Sequence, residues 1–184
     1  MILDRKVMTM KRALYRSLVL ASVLHGSSAL AGMPDEIGVP GEIPGAALRA
    51  EGAQIYECQL DAANRLVWQA REPAATLMDG DNSVGHHYAA LRWEAVDART
   101  LVWEHKDGSS VKARIVARAA GRTEDDLPWL KFGVITQSGN GLLYGVTHVQ
   151  RINTQGGVVR GPCSQAGTFR SVPYSADYVF WRAE

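Results

Sequence analysis

The sequence predicts an all-β fold: a single antiparallel β-sandwich or small β-barrel with long Gly-rich loops. Three observations point there. Short β-branched and aromatic runs recur along the chain, several with period-two alternation. Gly, Asp, Asn and Pro clusters separate them and read as turns. Good helix segments are few, and nothing repeats at a fixed period, which argues against a propeller or solenoid.

The first 31 residues read as a signal peptide rather than as part of the fold. Arg5, Lys6, Lys11, Arg12 and Arg16 face a single acid, Asp4. The apolar run Ser17–Leu24 follows, then the small residues ending in Ala29-Leu30-Ala31. These are the charged, apolar and A-x-A parts of a secretory signal. The run is shorter than the roughly 20 residues a membrane span needs. Cleavage after Ala31 leaves 153 residues, enough for one domain with a sizeable core. It also leaves 15 basic against 18 acidic residues, a net charge of −3. A weakly acidic surface without a basic run speaks against nucleic acid as a partner. The expected location is periplasmic or secreted, with no membrane span in the mature chain.

Residues 32–50, rich in Gly and Pro, read as an extended N-terminal arm, with a turn of helix at Ala46–Ala50; residues 51–184 form the β domain. Ala53–Leu60 is the first strand, with Tyr56, Cys58 and Leu60 on one face. Asp61–Arg65 turns the chain and Leu66–Arg71 pairs back as a hairpin. Pro73 should break that strand. Ala75–Met78 is a short strand, Asp79–Ser83 a turn, and Val84–Trp93 returns toward the core. Thr100–His105 is a strand, and Asp107-Gly108 is the strongest hairpin signal in the chain. Val111–Arg118 sets Lys112, Arg114 and Arg118 against Val111, Ala113, Ile115 and Ala117, the pattern of a half-buried strand. Gly121–Pro128 is an acidic loop. Trp129–Thr136 is a strand, and Ser138–Gly141 a turn. Val146–Ile152 is a β-branched strand; Gln155–Gly167 is a Gly-rich loop holding Cys163. Asp177–Arg182 closes the chain as an aromatic strand.

Cys58 and Cys163 are the two cysteines, and both lie in the exported part. Compartment favours a disulfide. It would close a loop of about 100 residues, worth ~4–5 kcal/mol in the chain-entropy model.

Beyond these features, the chain resembles DUF3455, a family of exported bacterial and fungal proteins of unknown function. The resemblance runs from about Gly52 to Arg182. It is carried by Gln54–Cys58, Trp68, Leu77-Met-Asp79, Val84–Ala89, Trp93-Glu94, Pro128-Trp-Leu130, Val146–Gly157, Cys163 and Val172–Tyr178. The chain departs from the family pattern at Ala90-Leu-Arg92, where Gly-Pro-Thr is expected, and at His148, where Tyr is more usual. The resemblance implies export, a mostly β fold and a Cys58–Cys163 pair. It implies no activity.

The stretch with the most hydrogen-bonding capacity is the strand at Thr147–Gln155. It carries His148, Gln150, Arg151, Asn153 and Gln155 and ends in a Gly pair. The expected function is therefore a ligand- or partner-binding module using Gln150, Arg151, Asn153 and Gln155, with His86 or His87 nearby. A small molecule, glycan or peptide would suit it. One alternative is a metal-dependent enzyme centred on His86 or His87 and His148, with Asp79 or Asp81. Imidazole and carboxylate suit Zn or Cu. Adjacent His86 and His87 should point to opposite faces, however, and no HExxH, CxxC pair or HxH spacing appears, so no resident cofactor is expected. A third reading is a structural envelope protein. No GxSxG elbow and no phosphate-binding glycine motif is present, and the oligomeric state stays open.

Overall fold

The computed structural model describes residues 32–90 and 100–184. The signal peptide expected over residues 1–31, and Trp93 and Glu94, lie outside the described residues. Eight strands follow one short 3-10 turn, Asp35–Ile37: β1 (Glu42–Leu60), β2 (Leu66–Asp79), β3 (Asn82–Ala89), β4 (Leu101–His105), β5 (Ser110–Ala119), β6 (Trp129–Ser138), β7 (Val146–Gly156) and β8 (Phe169–Ala183). Each pairs antiparallel with the next, and β8 returns to β1, so one sheet closes on itself as a barrel. Closure gives every strand a neighbour on each side, although residues 66–73 of β2 pair with β1 alone. No helix among the described residues is long and apolar enough to cross a membrane.

Period-two alternation puts the apolar side chains inside. In β1, Leu48, Ala50, Tyr56 and Cys58 are buried, whereas Arg49 and Glu51 are exposed. Trp103 on β4 sits at the centre of the core. It stacks on the His87 ring at 4.3 Å and meets Phe132 and Tyr178 edge-on at 5.0 and 5.4 Å.

One end of the barrel is closed by the 139–145 loop, whose Leu143 is fully buried in the core. Asp107 holds that loop in place. Its carboxylate accepts bonds from the Ser109 hydroxyl at 2.6 Å and the Leu142 N–H at 2.7 Å. These donors, the Ser109 hydroxyl foremost, hold its carboxyl well below the usual range. The Asp107-Gly108 hairpin signal is thus realised between β4 and β5, and its Asp also fastens the neighbouring loop.

Two sequence expectations are corrected. The helical turn at Ala46–Ala50 does not form, and residues 42–50 belong to the barrel rather than to an arm. Leu48 pairs with Tyr178 on one side, and Arg49 pairs with Met78 on the other. Ladder pairing overrides the helix preference of Ala and Leu. Pro73 does not break β2, which runs from Leu66 to Asp79. The β2–β3 ladder begins only at Ala74, so Pro73 stands just beyond it. A bulge at Ile55/Tyr56 loosens the register on its other side, and the Gln54 amide donates to the Glu72 carbonyl at 2.9 Å. Proline is tolerated where the ladder already lacks a bond.

Residues before β1 pack on the outer wall. Ile37 is buried there with Trp129 and Ile152.

Close approach of β3 and β4 depends on Gly85, since a Cβ built there would overlap the Glu104 carbonyl. Gly85→Ala is expected to destabilise the fold by ~1–3 kcal/mol, because backbone must move to admit the methyl. Urea denaturation of the variant beside the parent measures it.

Candidate functional site

The polar strand β7 divides its side chains between two sides of the wall. Val149 and Arg151 face the barrel interior. Gln150 and Ile152 face outward, where the 3-10 turn covers them. Gln150 donates to the Ile37 carbonyl at 2.6 Å and accepts from the Trp181 indole N–H at 2.7 Å. It is a buried, fully used amide that fastens the N-terminal segment to the wall.

Beyond Ile152 the strand bulges, and Asn153 takes a positive φ of 51°. Asn tolerates that backbone better than most residues. Its amide donates to Asp177 at 2.8 Å and accepts from Arg122 at 2.8 Å. Thr154 is buried and donates to the Leu127 carbonyl at 2.6 Å. Gln155 is exposed. Of the four β7 residues expected to bind together, only Arg151 enters the barrel.

The three candidate histidines are also separated. His87 is fully buried inside the barrel, and its Nδ1–H donates to the Val102 carbonyl at 2.8 Å. Burial pushes its pKa down to about 3, so the ring is neutral. His86 is exposed on the opposite face of β3. It lines a shallow outer depression with Glu51, Thr76 and Glu104. His148 lies on the outer wall of β7, 2.8 Å from a Glu42 carboxylate oxygen. β3 and β7 are not neighbours in the ring. Among the described residues, no group of three or more His, Cys, Asp or Glu side chains is gathered to hold a metal.

None of the described residues closes the other end of the barrel. A cavity of about 330 Å³ there reaches between β1, β2, β4, β5, β6 and β7. This is the size at which small-molecule sites begin, roughly 300 Å³. Leu101, Ile115, Leu127, Leu130 and Val158 give it an apolar wall, and Tyr56 and Arg151 supply polar atoms. Arg71 and Arg118 stand at its rim with Glu72. The outer depression beside His86 is larger, about 500 Å³. It is a shallow feature of the sheet surface and holds no buried charge among its side chains, so the barrel mouth is the better-built site.

Arg151 is the unusual group. It is 4% exposed, yet it forms no ion pair among the described residues. Its Nε and Nη2 both donate to one neutral acceptor, the Pro128 carbonyl, at 3.3 and 3.0 Å. Three phenols surround it. The Tyr56 hydroxyl donates to the Gly157 carbonyl at 2.7 Å. The Tyr174 and Tyr178 hydroxyls lie near each other and near Arg151, but neither reaches good hydrogen-bond geometry. Burial raises the pKa of all three phenols, and the Arg151 charge opposes that shift. The result is a buried cation beside neutral hydroxyl donors, facing a cavity.

Tyr56, Leu101 and Ile115 were missed as site residues by sequence reasoning. Tyr56 and Ile115 had a signal: Tyr56 shares a strand face with Cys58, and Ile115 lies on the face of its strand opposite Lys112 and Arg114. What was lacking was any indication of where along the barrel the filling stops.

The cysteines join as expected, with Cys58 and Cys163 bonded and their Cα atoms 5.7 Å apart. The family model described as "Protein of unknown function (DUF3455)" matches residues 40–182, which takes in nearly the whole barrel. No curated protein and no solved structure matches the chain.

Proposed function

The chain belongs to the DUF3455 family of proteins of unknown function, and from that starting point we propose that it is an exported binding module that takes a small molecule into the open end of its barrel. The observation that carries the reading is Arg151. Holding a charge away from water costs several kcal/mol unless a partner compensates it. Here the partner is a single neutral carbonyl. A site that keeps a desolvated cation at a cavity wall is arranged for a ligand. Export is supported by the three-part N-terminal segment and by a disulfide, which persists in oxidising compartments.

The expected polar strand thereby contracts to one residue. Gln150 and Asn153 serve the fold, and Arg151 serves the cavity. The separate placement of His86, His87 and His148 gives a metal-dependent mechanism no shared centre to work from, and a purely structural role leaves Arg151 without a purpose.

Filling the mouth tests the reading. Ile115 is 39% exposed at the cavity wall, so a larger side chain fits without disturbing the core. The protein should enhance the fluorescence of the neutral apolar probe N-phenylnaphthylamine at about one probe per chain. Ile115→Trp should abolish the enhancement with little change in Tm. Equal enhancement in both proteins, or none in the parent, overturns the proposal.

A further inference from the structure

We infer that the barrel mouth is built for an amphipathic carboxylate, with its head on Arg151 and its apolar body along the wall of Leu101, Ile115 and Leu130. This deepens the binding reading above and rests on it.

Charge is the first argument. Among the described residues, the interior holds one buried guanidinium and no buried carboxylate to balance it. A single negative charge neutralises that cation. A doubly charged phosphate would leave net negative charge buried among neutral phenols, which is costly in a desolvated site.

Geometry is the second argument. Nε and one Nη2 hydrogen of Arg151 are committed to the Pro128 carbonyl. The remaining Nη1 and Nη2 hydrogens form the end of the fork, and a planar carboxylate matches such a pair with two parallel bonds. The Tyr174 and Tyr178 hydroxyls beside the guanidinium are buried and meet no partner at good hydrogen-bond geometry. Buried hydroxyls without partners are costly, and a carboxylate offers enough lone pairs to engage one of them as well.

The lining is the third argument. Five aliphatic side chains face the cavity. A small inorganic anion would leave that wall in contact with water, whereas an alkyl or aryl body would cover it. Arg71 and Arg118 at the rim are balanced by Glu72 beside them and by Glu57, which pairs with Arg71, so the charge that selects a head group is that of Arg151 inside.

The test compares three molecules of equal chain length and different head group, decanoate, decanol and decylammonium. Each competes with N-phenylnaphthylamine, below the concentration at which it forms micelles. Decanoate should displace the probe at a concentration about ten-fold lower than decanol, the gain expected of a charge-assisted pair in a desolvated site. Decylammonium should be the weakest. In Arg151→Met, the ratio of decanoate to decanol displacement should fall from about ten to about one, whatever the change in probe affinity. Equal displacement by all three in the parent protein overturns the carboxylate inference and leaves an apolar site standing. Failure of the parent to bind the probe at all removes the underlying reading instead. The head-group comparison in the parent decides the matter even if Arg151→Met does not fold.

Discussion

Breaking the Cys58–Cys163 bond is expected to lower stability by ~4–5 kcal/mol, the chain-entropy value for a loop of this length. The bonded residues are 105 positions apart. For a domain of this size that corresponds to a fall in Tm of roughly 10–20 °C. The folded state should change little. Around Cys58 the backbone is already held, because its N–H donates to the Thr168 carbonyl and its carbonyl accepts from the Gly167 N–H, each at 2.9 Å. The loss therefore lies mainly in the unfolded chain, which gains freedom when the bond is cut. Urea unfolding of the oxidised protein, the reduced protein and Cys58→Ala/Cys163→Ala measures it. A difference below ~1 kcal/mol would contradict the entropic account.

Acidification is expected to cost nearly as much, through one side chain. His87 is neutral in the folded barrel, with a pKa held down to about 3 by burial, and the Arg151 charge acts in the same direction. In the unfolded chain it takes a proton near ~6.5. Between those values the unfolded state binds more protons than the folded state. The stability held by neutral His87 is thus complete above pH ~6.5 and declines as the pH falls, by about 1.4 kcal/mol per unit toward a limit at the folded pKa. The full loss is on the order of 4–5 kcal/mol. The carboxylates held low in the folded state, Asp107 and Asp126 among them, add their own losses at more acid pH. Tm measured from pH 4.5 to 6.5 therefore separates the two contributions, as flagged by their ~6.5 and ~4 unfolded values. His87→Gln keeps a donor for the Val102 carbonyl and removes the proton, so its profile should be flatter than the parent's. Parallel profiles for the two proteins would sink the prediction.

Local rules carried most of the strand positions. Alternation placed Tyr56 and Cys58 on one face, and Asp107-Gly108 located a hairpin that forms as read. The errors came from contacts between distant residues. Ala46–Ala50 has helix-forming composition, and only its pairing with both β2 and β8 makes it strand. Sandwich and barrel differ in whether the first and last strands pair, which no local pattern encodes. At the site, the rule that adjacent strand residues face apart separates His86 from His87, and equally separates Gln150 from Arg151. The density of polar residues hid that division. It arises because Gln150 is needed outside, by the 3-10 turn and Trp181, while Arg151 is needed inside. Asn153 was legible as polar but not as a bulge residue, since the positive φ follows from the register change between β7 and β8.

The pairing of β1 with β8 has a kinetic consequence. It joins Glu42 to Ala183, near the two ends of the described chain, and runs along most of both strands. Contacts of such long sequence separation form late, because the intervening chain must first be brought to order. The barrel should therefore fold in milliseconds to seconds rather than microseconds, as topologies rich in non-local pairing do. Until the last strand docks, β1 carries an unpaired edge, and a partly assembled chain is then at its most prone to associate with other copies. A chain still being made cannot complete this ring before the fifteen residues of β8 are available, so the fold is acquired in a closing step rather than built up from the N-terminus.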